Sequence, residues 1–474
     1  MSGTLSSSAP RLLRLLALAA MLAGVATHVA AAPAALAEVR IQNLGGEQSA
    51  IPFTFGQVFA PGDLRKNEGL AARLDDGALL PLQADVKATH ADGSVRHAVL
   101  SGVLPRLGAR GNAAVALVKG EAPAPRAGGS QAIDSLLADG LDAGVTIEIG
   151  GATYRATLAN AVAGARGGKG AGLWLDGPLV REWRGAAPLK AQGGAAHPLL
   201  EARFAVRWYP GLDRQARVEV VVENTKTFQA GARNLDYDVE VEVGGRTVYA
   251  KKGLRHYHHA RWRQLAWWNA ARAPDLHVRP DSAYLIASRA VSNYDQGIAP
   301  SELSLVNQVK RLPEEKTGPM TIGPVNPYMP ATGGRNDIGP LPAWSVQYLL
   351  SKDPRALRTM VAAAEGSGSW SIHLRDERTG YPLRTDSAAN RAVSTHMNLA
   401  DKGPLPVPRC AAKGLCETPY KHDTSHQPSL AYLPYLLTGD YYYLEELQFW
   451  AASNPLETDP VNSGHGQGLV RWQQ

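Results

Sequence analysis

The sequence predicts a multidomain α+β protein in which an N-terminal β module and a central antiparallel β-sandwich precede a C-terminal helical region. Two observations carry this expectation. Short runs with period-two alternation, broken by Gly, Pro and Asp, continue to about Val325, and after Pro340 the apolar spacing becomes helical. The 474 residues are 45% hydrophobic and 19% charged, a globular composition long enough for several domains. With only 2 Cys the chain can build neither a disulfide scaffold nor a four-thiolate zinc site, so buried apolar surface must stabilise it.

Residues 1–37 read as a signal peptide. Arg11 and Arg14 precede the apolar run Leu15 to Ala26, and Ala35-Leu36-Ala37 offers small residues for cleavage. Export to a periplasmic or extracellular space is therefore expected. The run is shorter than the roughly 20 apolar residues that a bilayer requires, so no stable membrane span is expected. Residues 38–125 form the β module, with alternation in Leu82–Val86 and Val95–Val103 around the turn Ala91-Asp92-Gly93-Ser94. The Pro-, Gly- and Ala-rich stretch Gly120 to Ser130 marks a boundary.

Residues 126–330 make the sandwich. Gly150-Gly151 between alternating runs predicts a hairpin, and "DYDVEVEVGGRTVYAKKG" predicts another. Val220, Val222, Val239, Val241 and Val243 should face a core, and Glu219, Glu223, Glu240 and Glu242 should face water. Ala161 to Gly172 reads as a loop. Residues 331–474 are helical, with Asp353, Ser425 and Asp440 as caps, Pro428 in a first helical turn and Gly439 as a stop. A further helix reads as beginning near Gly466. The connection from Gly366 to Ser425 is too long for a plain turn, and such loops are usually functional.

Cleavage after residue 37 lowers Lys+Arg from 49 to 47 against 43 Asp+Glu, which leaves a net charge of +4. With no run of five basic residues, this excludes a nucleic-acid binder and is compatible with an acidic polysaccharide or oligosaccharide. The sequence has no nucleophile elbow, phosphate loop or dinucleotide fingerprint, so no cofactor is expected.

Four clusters could carry chemistry. Arg255 to Arg263, followed by Trp267-Trp268, is the densest aromatic and basic stretch. Arg261 and Trp262 there suit either a carbohydrate surface or packing between domains. Strand alternation would divide its histidines between two faces, and no nearby carboxylate completes a metal set. Arg335, Asn336 and Asp337 stand before a helix, as anion ligands or as caps. His422, Asp423 and His426 precede a helix containing Tyr432 and can move protons near neutral pH, or else staple a loop. His373, Arg375, Asp376 and Tyr381 alternate in the long connection and could form a hairpin over a cleft. Cys410 and Cys416 should pair locally in an exported protein.

The chain resembles the exo-acting rhamnogalacturonan lyase-like family of exported proteins. The matching stretches are "HADGSVRHAVL" (residues 90–100), "HYHHARWRQLAWW", "TGGRNDIGPLPAW" and "DTSHQPSLAYLPYLLTGDYYYLEELQFW". The resemblance implies an N-terminal β-barrel, a central β-sandwich and a C-terminal α/α toroid. It also implies carbohydrate chemistry, and a polysaccharide lyase working by β-elimination would use Tyr432 or His426 as base or acid, His422 as a further acid/base, and Arg335 and Asn336 on the uronate carboxylate. Tyr381, Asp337, Arg261 and Trp262 complete the expected cleft. Pro340 to Gln474 is too short for a full toroid, so an incomplete ring with an exposed apolar face around Leu436, Leu444 and Phe449 is expected. Two other readings remain open. One is a glycoside hydrolase using Asp337 and Asp423. The other is a non-catalytic binding protein with Trp262, Trp267 and Trp268 as its platform.

Overall fold

Alternating residues build the first sheet: Val39 and Ile41 point inward from Ala37–Asn43 (β1) while Glu38 and Arg40 stay in solvent. Gln48–Val58 (β2), Gly69–Leu74 (β3), Leu79–Thr89 (β4), Val95–Leu107 (β5) and Asn112–Gly120 (β6) follow, with the expected turn between β4 and β5. The sheet curls around Ile41, Phe53, Phe55, Leu70, Leu100 and Leu117. The structure, a computed structural model, describes residues 3, 34–121, 132–165, 171–212, 215–270, 273–328, 335–390, 393–395, 407–408, 410, 412–423 and 426–457. Residues 1–35 and 36–474 are separate units, and the second is described below. Most of the expected signal peptide, most of the boundary Gly120 to Ser130, Ser425 and the helix near Gly466 lie outside the described residues, and Ala37, read as the end of that peptide, opens β1.

After Ile133–Ala138 (α1) come Ala143–Ile149 (β7), Ala152–Thr157 (β8), Leu158–Ala165 (α2), Gly172–Asp176 (β9), Arg181–Ala191 (β10), Ala196–Trp208 (β11) and Ala216–Asn224 (β12). Leu235–Val243 (β13), Arg246–His256 (β14) and Ala260–Trp268 (β15) complete a single nine-stranded antiparallel sheet in the order β14-β13-β7-β8-β10-β11-β12-β15, with β9 beside β10. This is one barrel-like sheet, where the alternation suggested two stacked ones. Alternation reports which residues face inward and carries no information on whether a sheet closes over its own core. Gly150 and Gly151 make the β7–β8 turn at φ 58° and 79°, the left-handed pair that a two-residue hairpin requires. Part of the stretch read as a loop is the helix α2, whose Leu158, Ala161 and Val162 enter the core.

Leu276–Arg279 (β16) returns to pair with β1, so the first sheet is completed from far along the chain, in the order β16-β1-β6-β3-β4-β5-β2. Ser282–Ala287 (α3) and Glu302–Lys310 (α4) lie within the span read as sandwich. Ala343–Ser351 (α5), Pro354–Gly366 (α6), Tyr432–Thr438 (α7) and Tyr441–Leu456 (α8) share one core with Leu285 of α3 and Leu305 of α4. Asp353 caps α6, accepting from Arg355 N at 2.8 Å. Gly439 stops α7 at φ 65°, whereas Pro428 precedes that helix, which begins at Tyr432.

These helices form a layer against the two sheets and do not by themselves make an α/α toroid. The expected exposed face is covered: Leu436 and Phe449 are buried and Leu444 is half-buried. The reason is contact with the sheets, with Arg261 and Arg375 standing over the Phe449 ring. On the other side α7 approaches β2 so closely that a Cβ on Gly56 would lie 2.3 Å from the Leu436 carbonyl oxygen. No helix among the described residues is long and apolar enough to cross a membrane.

Gly56→Ala should therefore force β2 and α7 apart and lower stability by about 1–3 kcal/mol. A urea midpoint equal to that of the unmodified protein would show that the two elements are not pressed together.

Candidate functional site

Burial of many charged side chains sorts the expected residues. Arg261 on β15 is fully buried and donates to Glu223 of β12 (3.2 Å), to Glu445 and Glu446 of α8 (both 2.7 Å) and to the Tyr442 carbonyl (2.9 Å). Arg375 spans Glu223 and Glu445, and His373 Nε2 meets Glu446 at 3.0 Å. Arg261 therefore cannot form the wall of a cleft. Trp262 is 2% exposed and donates to the Tyr237 hydroxyl at 3.0 Å, inside the sheet core. Trp268 is buried and Trp267 stacks on Tyr209, so the aromatic platform does not exist as drawn. Glu223, expected in water, lies under α8, because the alternation of β12 holds only where one face of the strand is open.

The loop candidates do not all line one cavity. Arg335 grips Asp337 with two hydrogen bonds of 2.9 and 2.7 Å, and Asp337, 1% exposed, also accepts from Asn326 N. Those bonds hold Arg335 firmly charged, with the carboxylate of Asp423 adding to the effect. Asn336 is exposed and uses its carbonyl on Ala343 N at the start of α5. His426 Nδ1 pairs with Asp423 at 3.1 Å. His373, Arg375, Asp376 and Tyr381 do lie in a short hairpin, closed by the antiparallel Arg375–Pro382 bridge, but His373 and Arg375 are buried and the 41% exposed Tyr381 is not among the residues lining the cavity that holds His422. The Tyr432 hydroxyl donates to the Ala290 carbonyl at 2.7 Å, in a different cavity from His422. Of the expected group, Arg335 lies near enough to feel the Asp423 carboxylate with which His426 pairs, whereas His422 and Tyr432 line two different cavities.

His422 does reach a cavity, of about 880 Å³, where the nine-stranded sheet meets the helical layer. Its walls are the β14–β15 turn, the stretch from Ser371, the disulfide loop Cys410–Cys416 and the C-terminal end of α8. His422 Nε2 faces Glu457 at 3.0 Å. From the turn come His258 and His259, with ring centroids 4.9 Å apart. Neither ring has a hydrogen-bonding protein partner among the described residues. Burial lowers His258 to a pKa of about 4, and burial with the neighbouring His258 takes His259 well below its usual value, so both are neutral imidazoles. His259 is held at φ 48°, a left-handed conformation that a residue with a Cβ adopts at some cost. Lys413 and Lys421 line the same cavity without an ionic partner among the described residues. Burial raises the Tyr420 phenol to about 12, and it donates to the Met320 carbonyl at 2.9 Å.

Sequence reasoning missed His258 and His259 because it carried strand alternation through the whole cluster. The strand ends at His256, and His258 and His259 stand together in a turn. Three histidines within residues 256–259, beside the end of an alternating run, were the available signal. Lys413, Lys421 and Glu457 have no local pattern. Among the described residues no three His, Cys, Asp or Glu are grouped to hold a metal ion.

Residues 37–106 match the family model described as the PcRGLX-like N-terminal RIFT barrel domain. The match covers β1 to β5 and supports the rhamnogalacturonan lyase-like resemblance at the level of that domain. No curated protein matches the chain. Among solved structures, an alpha-mannosidase from Enterococcus faecalis V583 is 12% identical with a TM-score of 0.23, over 43% of this chain and 31% of that one. A protein in glycosyl hydrolase family 38 from Enterococcus faecalis is 11% identical with a TM-score of 0.25, over 44% and 35%. The chain thus spans about a third of the length of each, and at such scores neither likeness bears on function.

Removing the central cation should separate structural from surface roles. Arg261→Ala leaves three buried carboxylates without their shared partner and should cost about 3–5 kcal/mol, whereas His426→Ala, at a half-exposed loop position, should stay within about 0.5 kcal/mol. Equal unfolding midpoints for the two variants would contradict this assignment.

Acid should unfold the protein in two stages. His97, His256 and His258 are each lowered by burial from 6.5 to about 4, so below pH 6.5 the unfolded chain binds protons that the native state refuses. Their contribution is complete above 6.5 and is lost as pH falls toward 4. For Glu445 and Glu446 burial alone would raise the pKa, but the facing cations outweigh it and bring both from 4.5 to about 2. Stability should fall again between 4.5 and 2. Urea titrations across this range that give flat stability from pH 6.5 to 4 would refute the first stage.

Proposed function

We propose that this is an exported carbohydrate-active enzyme, a polysaccharide lyase that cleaves a uronate-containing polysaccharide by β-elimination in the cavity around His258, His259 and His422. The observation that carries the reading is the pair of adjacent, neutral imidazoles, without a hydrogen-bond partner among the described residues, on the wall of a cavity that also holds two lysines with no ionic partner among them. Buried polar groups without partners are costly, and a substrate rich in hydroxyls would satisfy them.

The chemistry follows from those groups. Lys413 and Lys421 attract the uronate carboxylate and stabilise the charge that spreads onto it as the adjacent C–H bond ionises. A neutral imidazole, His258 or His259, takes that proton. The electron pair left behind forms the C=C bond as the glycosidic C–O bond breaks. His422, paired with Glu457, returns a proton to the departing oxygen. The resemblance of the N-terminal barrel to rhamnogalacturonan lyase-like proteins favours an acidic pectic substrate.

The hydrolase reading on Asp337 and Asp423 is weaker. Asp337 is buried with both oxygens engaged by Arg335, and a general acid or base needs access to its substrate.

Incubation of the purified protein with a panel of acidic polysaccharides should produce ultraviolet absorbance from a new conjugated double bond, with products of matching mass. His258→Ala and His422→Ala should each lower kcat/KM by about 10²–10⁴-fold while keeping the unfolding midpoint. New reducing ends without the absorbance would replace elimination by hydrolysis, and binding without either product would leave a carbohydrate-binding protein.

A further inference from the structure

A second cavity, of about 540 Å³, lies where the N-terminal sheet meets α3 and α7, within the range that small ligands occupy. We infer that it binds a carboxylate carried on a six-membered ring that also bears a hydroxyl. Two sources offer that chemistry, the terminal uronic acid of an oligosaccharide and a hydroxylated aromatic acid. The inference does not rest on the reading of the first cavity.

Charge is the first argument. The lining includes His90, Arg96, His97 and Arg289 and no Asp or Glu. Arg96 and Arg289 are exposed and have no ionic partner among the described residues. This contrasts with Arg207, Arg217, Arg261, Arg263 and Arg375, every one of which is paired with a carboxylate. Arg289 follows α3 at φ 59°, a left-handed conformation that places a side-chain-bearing residue where glycine is usual. Two arginines on the lining of an acid-free cavity supply the cationic donors that a carboxylate matches.

The polar and aromatic groups narrow the ligand further. His97 turns Nε2 toward the Leu436 carbonyl at 3.2 Å, so that nitrogen carries the proton and Nδ1 is an acceptor. Nδ1 is buried and has no partner. Burial keeps the ring neutral, with a pKa of about 4, so Nδ1 remains able to accept a hydroxyl hydrogen. Tyr435 lies against the His97 ring at 4.9 Å, and the Tyr432 hydroxyl is already used on Ala290. The tyrosines therefore offer ring surface, which suits the C–H face of a sugar or an aromatic ring. A carboxylate for the arginines, a hydroxyl for His97 and a ring body for the tyrosines define one ligand class. Phosphate alone lacks the body, and a neutral sugar lacks the charge.

The test is hydrogen–deuterium exchange on the full protein carrying His422→Ala, so that a cleavable ligand is not consumed. The probes are digalacturonate, 4-hydroxybenzoate and neutral galactobiose. Digalacturonate or 4-hydroxybenzoate should slow exchange in residues 286–290 and 432–438, and whichever does so identifies the source. Adding Arg96→Gln and Arg289→Gln, both at exposed positions, should weaken that protection at least about tenfold in ligand concentration. A thermal scan checks that the variant is folded. Equal protection by galactobiose, protection that survives loss of both arginines, or no protection by either acid overturns the inference. Because the readout is local to α7 and the end of α3, it is independent of whether the first cavity turns over any substrate.

Discussion

The buried contact of Arg261 with Glu223, Glu445 and Glu446 is the constraint on which the rest of the arrangement depends. One guanidinium joins the C-terminal end of β12 to the second turn of α8 and is itself flanked by Arg375 and His373, which share the same carboxylates. A second cluster anchors the start of the helix: Asp440 accepts from Arg207 at 2.9 Å and Arg217 at 2.7 Å. Burial alone would raise the Asp440 carboxyl, but Arg217 and Arg207 outweigh it and hold it far below its usual range. At the far end Glu457 meets His422 in the first cavity. A single helix is thus fixed at its N-terminus, its second turn and its C-terminus, and the last of these fixes one wall of the candidate site.

Burying ions in this way is an expensive route to stability, since apolar residues of similar volume often do as well. What the ions add is register. A leucine on β15 would tolerate a shift of α8 by part of a turn, whereas Arg261 has three carboxylates and a carbonyl to satisfy at once. Both cavities lie where the helical layer meets a sheet, so the orientation of that layer sets which side chains reach them.

The same desolvation acts on the histidines with a different outcome. Glu445 and Glu446 remain charged because cations face them, and His97, His258 and His259 lose their charge because no carboxylate does. Neutral imidazoles with spare nitrogens are thereby concentrated along the two cavities. Other buried polar atoms, such as those of Gln308 and Trp344, also lack a partner among the described residues, but these histidines belong to cavity walls, where a ligand can approach them.

Period-two alternation was enough to locate β4, β5, β7, β8 and β13, and helical spacing located α5 to α8, because each signal is local and one face of each element is apolar. The Gly150-Gly151 turn, the Asp353 cap, the Gly439 stop and the Cys410–Cys416 pairing were legible for the same reason. His422, read from the sequence as a loop histidine, lines the first cavity. Arg261, Trp262 and Glu223 were misplaced because alternation gives the face of a strand and not what covers it. The return of β16 to β1, the assembly of nine strands into one barrel-like sheet and the placing of His258 and His422 on one cavity join residues far apart in sequence, which no local period encodes. The sequence by itself determined where strands, helices and turns form; only tertiary packing decided which charges are buried against which partners, and therefore which histidines are left free to do chemistry.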